Sequence, residues 1–296
     1  KGEGMSKAAM AEKTAQVTSH LEGLLMPDAQ FNDRLYEAMR YSLLAGGKRL
    51  RPVLVLAACE AVGGKTTAQV LDAACAIELV HTYSLIHDDL PGMDDDDLRR
   101  GKPTNHVVYG EAMAILAGDG LLTEAFSMLA RACGDTPVAA ALMRELAEGA
   151  GIRGMVAGQA QDVLSEGEAI GLDHMQWIHR HKTGALILAA CRMGGILGQA
   201  DEASMAALSA YGRALGLAFQ ITDDILDVVG DEVVMGKHAG SDAKSDKATY
   251  PALLGLDKSR ELAEQAVNEA LSALKDLTGD GSLLAYIASK ILARQS

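Results

Sequence analysis

Only four of the 296 residues are cysteine, and Cys59, Cys75, Cys133 and Cys191 stand far apart in apolar, helix-like surroundings. They form no CxxC pair and no Cys/His cluster, which excludes a zinc site or a disulfide framework built on them. Buried free thiols in a reducing compartment are the ordinary reading. Alternating valine, isoleucine and threonine is scarce and aromatic residues make up only 4%, against abundant alanine, leucine, methionine and glutamate. That balance favours helices. No stretch reaches the ~18 apolar residues that a membrane span requires, and no charged-then-apolar secretory pattern opens the chain. A cytoplasmic protein without a membrane span is expected. Positive charge is in deficit as well, with 27 Lys and Arg against 40 Asp and Glu, a net charge of −13. This argues against binding a nucleic-acid backbone. An anionic ligand would need divalent cations or local basic clusters to offset the field.

What is present is helical periodicity broken by short glycine-rich stops. Lys1 to Gly4 precede Met5 and are read as an added leader outside the fold, leaving residues 5–296 as one all-helical domain. Helices are expected over about 34–45, 52–62, 68–89, 111–133, 137–148, 174–194, 204–229 and 258–277. Gly46-Gly47 and Gly63-Gly64 stop the first two, and Pro52 suits a first helical turn. The polar segment 230–249 reads as a long loop of the kind that is often functional. Several helices are apolar on most faces, as in the interior of a large bundle.

Two acidic clusters stand out. Asp88-Asp89-Leu90-Pro91-Gly92-Met93-Asp94 closes an apolar helix, and Pro91-Gly92 can bend the chain so that Asp94 returns towards Asp88. Alone, such a run is more often a solvated loop. Carboxylates at a helix C-terminus oppose the macrodipole, so a counter-ion there would help. The second cluster, Asp223-Asp224-Ile225-Leu226-Asp227, lies inside a strongly apolar helix, with Asp223 and Asp227 one turn apart on one face. Uncompensated carboxylates in such a helix are costly unless they face a wet or metal-filled cavity. Hard divalent cations take one or two carboxylates together with substrate phosphate oxygens. Two acidic walls therefore suit a shared Mg2+ site.

Basic residues accompany both clusters. Gly46-Gly47-Lys48-Arg49-Leu50-Arg51-Pro52 sets cations at a helix start, where free N–H groups also attract anions. Arg99-Arg100 follows the first cluster, Lys182-Thr183 lies on another helix, and Lys237 and Lys247 lie in the polar loop. Each by itself is ordinarily a surface residue; their distribution beside two carboxylate clusters favours diphosphate binding. His81 lies seven residues before Asp88 on the same helical face, ~10 Å away. A lone histidine there is more often a structural hydrogen-bonding group.

These motifs, with Arg99-Arg100-Gly101-Lys102-Pro103-Thr104, Lys182-Thr183 and Phe219-Gln220 in the same order, resemble the trans-isoprenyl diphosphate synthases, and the bacterial farnesyl diphosphate synthases in particular. The resemblance spans roughly residues 34–255. It implies a large all-α bundle of the isoprenoid synthase type with a central active-site cavity. It implies Mg2+ (three ions per site, Mn2+ able to substitute) held by Asp88, Asp89, Asp94 and Asp223, with Asp224 and Asp227 completing the catalytic acids. Lys48, Arg51, His81 and Arg100 would hold the diphosphate of isopentenyl diphosphate. Arg99, Lys182, Thr183, Gln220, Lys237 and Lys247 would surround the allylic substrate, and Arg99 and Lys182 would also assist the chemistry. Gln159 and Asp162 would line the cavity. Tyr83, five residues before Asp88, and Ser84 would limit product length, although a tyrosine packed in a core is as common on side-chain type alone.

The activity implied is condensation of isopentenyl diphosphate with dimethylallyl or geranyl diphosphate to farnesyl diphosphate by ionisation, condensation and elimination, in a homodimer. The alternatives are a geranyl or geranylgeranyl synthase, a terpene cyclase or head-to-head synthase, and a non-catalytic synthase subunit or idle scaffold. A cyclase would not need a second diphosphate site such as Lys48 and Arg51. A non-catalytic subunit would be expected to lack aspartates from one motif.

Overall fold

The computed structural model describes residues 1–27, 31–230 and 247–294, almost wholly as helices. In chain order these are α1 (Gly2–Glu22), α2 (Asp33–Leu43), α3 (Leu50–Ala61), α4 (Ala68–Asp88), α5 (Asn105–Tyr109), α6 (Glu111–Cys133), α7 (Pro137–Ala150), α8 (Met155–Leu164) and α9 (Leu172–His179). A π-helical turn (Arg180–Gly184) joins α9 to α10 (Ala185–Leu197). Then come α11 (Glu202–Val229), α12 (Tyr250–Leu254), α13 (Leu256–Ala273) and α14 (Ser282–Ala293). The all-α expectation holds. A short antiparallel ribbon, β1 (Leu98–Arg99) and β2 (Lys102–Pro103), lies between α4 and α5.

Local chemistry sets several boundaries. Thr67 accepts from the Val70 amide at the start of α4, Asp201 from Ser204 N at 2.7 Å for α11, and Thr249 from Ala252 N for α12. Each side chain satisfies a donor that the first helical turn leaves free. Helix α3 is buried on nearly all faces, with Val53, Leu54, Val55 and Leu56 fully inaccessible, and it packs on α10 and α4. Such a helix cannot be amphipathic, which is why its sequence shows no polar stripe. Truncating Leu54 to alanine would cost about 2–5 kcal/mol.

Three expectations are corrected. Helix α1, which begins at Gly2, and the ten-residue α8 are absent from the expected helices. The helix expected over 174–194 is interrupted by the π turn. Helix α6 is, by length and composition, apolar enough to cross a membrane, with a mean hydropathy of 1.3 over an 18-residue window. It packs instead along α4, α2 and α7, and it leaves Ile115 and Leu116 exposed. The four cysteines are free and buried, as expected, and burial pushes the Cys59 thiol up to about 11 and Cys191 to about 12.

Candidate active site

Asp88 ends α4 and Asp89 caps it. The loop that follows turns back on itself: Asp94 N donates to Asp88 O at 2.8 Å and Asp96 N to Asp89 O at 3.1 Å, which brings Asp94 beside Asp88. Burial is the main cause that raises the Asp88 carboxyl to about 6; neighbouring Asp94 and Asp89 add to it, and Lys182 and Arg99 act against it. Asp89 has a different environment. It is 3% exposed, and Arg99 grips both its oxygens, Nε and Nη2 each at 2.8 Å. Burial raises its pKa and Arg99 opposes the rise.

Arg99 and Arg100 part company because of the ribbon. The Arg99–Lys102 register leaves a two-residue loop of Arg100 and Gly101, both with positive φ (51° and 74°), the backbone of a type I′ hairpin turn. Arg99 is sent to Asp89, while Arg100 reaches Gly46 O at 2.8 Å. Its guanidinium lies over Gly47, where a Cβ would stand 2.8 Å from Cζ. Gly47 also has φ +113°, so glycine is required there twice over. Arg49, in the left-handed region at φ 54°, is held by Leu43 O and by the buried Glu78. This anchors the loop that carries Lys48 and Arg51.

Arg51 is buried and donates to His81 Nε2 at 3.4 Å, and its own Nε has no hydrogen-bond partner among the described residues. An arginine can only donate, so His81 Nε2 is the acceptor and the imidazole is neutral. Burial, followed by Arg51, Arg100 and other arginines, holds the His81 pKa well below its ordinary value. Lys48 is exposed; burial of its stem and then Arg294 lower its pKa, while Asp223 acts in the opposite sense.

The π turn carries Lys182 and Thr183. Two glycines let neighbouring helices touch this turn. A Cβ on Gly158 of α8 would stand 2.1 Å from Lys182 N, and one on Gly216 of α11 would stand 3.0 Å from Gly184 Cα. The close approach of α8 brings Asp162 to Lys182 Nζ at 2.7 Å, and Lys247 joins it at 3.0 Å. Lys247 also lies 3.5 Å from Asp94. It therefore ties the first acidic loop to α8. Burial tends to raise the Asp162 pKa, but the two lysines outweigh it and the net direction is down. Gln159, also on α8, has both amide atoms buried without a hydrogen-bond partner among the described residues.

The three acids of α11 separate. Asp223 pairs with Arg294 at 3.1 Å. Asp224 is 2% exposed; its Oδ1 accepts from Gln220 at 2.8 Å and its Oδ2 from Tyr250 N at 3.0 Å. Asp227 is 4% exposed. Asp224 thus supports the start of α12, and Gln220, expected beside substrate, is bonded to it. Arg294 was missed in the sequence because α14 was not recognised; it also stacks over Phe219, 5.3 Å from the ring centroid, and Arg51 approaches the same ring at 5.9 Å. Through Phe219 the Arg51–His81 pair of α3 and α4 meets the acidic face of α11. Lys237 lies outside the described residues.

Among the described residues no three acid, imidazole or thiol groups converge to hold a metal ion by themselves. The donors fit a hard cation shared with ligand oxygens. Asp88 is a half-buried carboxylate with a raised pKa and carboxylate neighbours, and a divalent cation would relieve that repulsion.

Residues 32–283 match the family described as polyprenyl synthetase. The chain is 51% identical over 264 residues to a farnesyl diphosphate synthase of Geobacillus stearothermophilus, covering 88% of this chain and 89% of that one. It is 50% identical over 272 residues to the large subunit 1 of a chloroplastic heterodimeric geranylgeranyl pyrophosphate synthase of Arabidopsis thaliana, covering 89% and 73%. A geranyltransferase from Helicobacter pylori, solved with magnesium and isoprenyl diphosphate, superposes with a TM-score of 0.87 at 35% identity, covering 97% of this chain and 96% of that one. The chain belongs to the polyprenyl synthetase family of prenyltransferases.

Proposed function

We propose that the protein is a Mg2+-dependent farnesyl diphosphate synthase. The observation that carries this is the pairing of two separate cationic clusters with acidic walls. Arg51 and Arg100, with neutral His81 beside them, make one cluster, and Lys182 and Lys247, which meet Asp162 and Asp94, make the other. One diphosphate needs one such cluster; two clusters suit two diphosphate substrates. The bound magnesium of the Helicobacter pylori relative supports the metal, and the farnesyl synthase relative supports the product.

Asp88, Asp94 and Asp223 would hold the ions, which supply Lewis-acid neutralisation of the allylic diphosphate. Asp89 orients Arg99. Lys182, Lys247 and Arg99 gather where negative charge grows on the leaving diphosphate, and such fixed cations stabilise the transition state more than the ground state. Arg51, Arg100 and Lys48 fix isopentenyl diphosphate so that its double bond meets C1 of the allylic partner. Neutral His81 keeps a ring N–H to donate without adding charge. The adduct then loses a proton to the departed diphosphate, so no protein nucleophile is required.

Tyr83 is 9% exposed and its phenol pKa is raised by burial, then by Asp88 and Asp119. The ring meets that of His87, which bonds to α6, and it would stop a third isoprene unit; Ser84 beside it donates to His81 O. Incubation with Mg2+, dimethylallyl diphosphate and labelled isopentenyl diphosphate, with sizing of the product, tests the function. A fifteen-carbon product is expected, and consumption of farnesyl diphosphate without isopentenyl diphosphate would overturn it. Tyr83→Ala should add products of twenty carbons.

The exposed Val107, Val108, Ile115 and Leu116 on α5 and α6 form an apolar face suited to a second copy of the chain. A homodimer in the cytoplasm, where free thiols persist, is therefore proposed. Leu116→Glu should shift the species seen by light scattering from dimer to monomer; an unchanged mass would reject this face.

A further inference from the structure

We propose that His87 and Gly118 together set where the Tyr83 ring stands, making both of them positioning residues for product length. This rests on Tyr83 being the floor. Tyr83 and His87 are one turn apart on α4 and share a face. Their rings meet edge to face, with centroids 5.4 Å apart and planes at 89°. That contact is directional, because the edge of one ring is attracted to the face of the other.

The His87 ring is itself fixed by α6. Its Nε2 lies 2.9 Å from Ile115 O. A carbonyl only accepts, so Nε2 carries the proton. Asp119 stands 3.9 Å from the same nitrogen on the outer side. The imidazole can come this close to a helix backbone only because residue 118 has no side chain. A Cβ there would lie 2.2 Å from Nε2, 2.5 Å from Cδ2 and 3.0 Å from Cε1. Glycine in the middle of a 23-residue helix costs about 1 kcal/mol relative to alanine, so its presence has a packing reason. The notch, the hydrogen bond and the edge-to-face contact form one chain of restraint running from α6 to Tyr83.

An aromatic floor held in one orientation cuts the tunnel sharply. Released from His87, Tyr83 can turn about χ1 and admit one more isoprene unit. Gly118→Ala expels the imidazole and His87→Ala deletes it, so each should raise the ratio of twenty- to fifteen-carbon product by about tenfold, the scale of discrimination that a few contacts in an apolar pocket provide. The rate of the first condensation, from dimethylallyl to geranyl diphosphate, should stay within a few-fold. In the His87→Ala background, Gly118→Ala should change the ratio no further, because no ring remains to displace; a general packing defect would add instead. His87→Ala removes atoms, so it keeps the test decisive if Gly118→Ala fails to fold. Should Tyr83→Ala leave the product at fifteen carbons, the floor itself is wrong. Should Tyr83→Ala lengthen the product while a folded His87→Ala keeps the parental ratio, the positioning role of His87 and Gly118 is refuted.

Discussion

Replacing Gly158 by alanine probes how the site is assembled without touching any charged group. A Cβ at this position would stand 2.1 Å from Lys182 N and 2.5 Å from Lys182 Cα. Both are backbone atoms, so no side chain can swing aside. Restoring ordinary contact, which begins near 3.4 Å, requires α8 and the π turn to part by about 1 Å. A displacement of that size at a catalytic constellation costs about 100-fold in rate, and the overpacking itself about 1–3 kcal/mol of stability. The damage should be directional. Asp162 lies one turn beyond Gly158 on α8 and holds Lys182 at 2.7 Å and Lys247 at 3.0 Å. The Lys182–Lys247–Asp162 cluster, proposed to meet the allylic diphosphate, should lose organisation while the Arg51–His81–Arg100 cluster, built on α3, α4 and the ribbon, keeps its geometry.

Steady-state kinetics with each substrate varied in turn should therefore show kcat down about 100-fold, KM for the allylic diphosphate raised, and KM for isopentenyl diphosphate close to the parent. Thermal unfolding should fall by a few degrees. Gly171→Ala, whose Cβ would meet nothing within 4 Å, serves as the neutral comparison. A Gly158→Ala enzyme that turns over within about threefold of the parent would refute the idea that close approach of α8 places Lys182.

Two further outcomes follow from the acidic motif. The folded Asp88 carboxyl titrates at about 6 instead of 3.8 because burial favours the neutral acid; ionising it penalises the folded state, and the penalty grows as pH rises from about 4 through 6. Asp88→Asn should therefore raise the unfolding free energy of the Mg2+-free protein by up to about 3 kcal/mol at pH 8 and by little near pH 4, as well as abolishing turnover. Denaturant titrations giving equal gains at both pH values would reject this. Asp89→Asn and Arg99→Ala each break the same bidentate pair, so each should cost about 2 kcal/mol and their double variant clearly less than the sum. Strict additivity in that cycle would show that the two residues act separately.

The sequence displayed the parts of the site better than their connections. Both Asp-rich motifs, Lys182 and the Lys48–Pro52 loop were legible because charged residues interrupt otherwise apolar helices, which physical chemistry allows only for a reason. Helices α1, α8 and α14 were not. Helix α1 is polar over most of its length, α8 is only ten residues long, and α14 is a short apolar run although Gly279-Asp280-Gly281-Ser282 marks its start. With α14 went Arg294, the partner of Asp223. The π turn was equally invisible, since Arg180 to Gly184 has the composition of an ordinary helix; it forms where Gly158 and Gly216 bring two helices against it, and π turns of this kind recur at functional sites. The different fates of Asp223, Asp224 and Asp227 could not be read from spacing, because which face of α11 meets α12 is decided by tertiary packing. Likewise Arg99 and Arg100 are neighbours in sequence, and only the positive-φ turn at Arg100-Gly101 sends them to different partners.

The pairing of the site's own cations has a physical rationale that composition alone does not reveal. Most of the cations expected to meet a diphosphate already face a carboxylate or a carbonyl: Arg99 on Asp89, Lys182 and Lys247 on Asp162, Arg100 on Gly46 O. Arg294 does the same for Asp223. Unpaired, these partly buried charges would repel one another and destabilise the bundle. Paired, they are held near their working positions at modest cost. On the proposed function, a bound diphosphate would let Lys182 and Lys247 exchange a carboxylate oxygen for a phosphate oxygen. The exchange conserves the number of charge-assisted contacts, so binding need not include the full cost of desolvating a new charge.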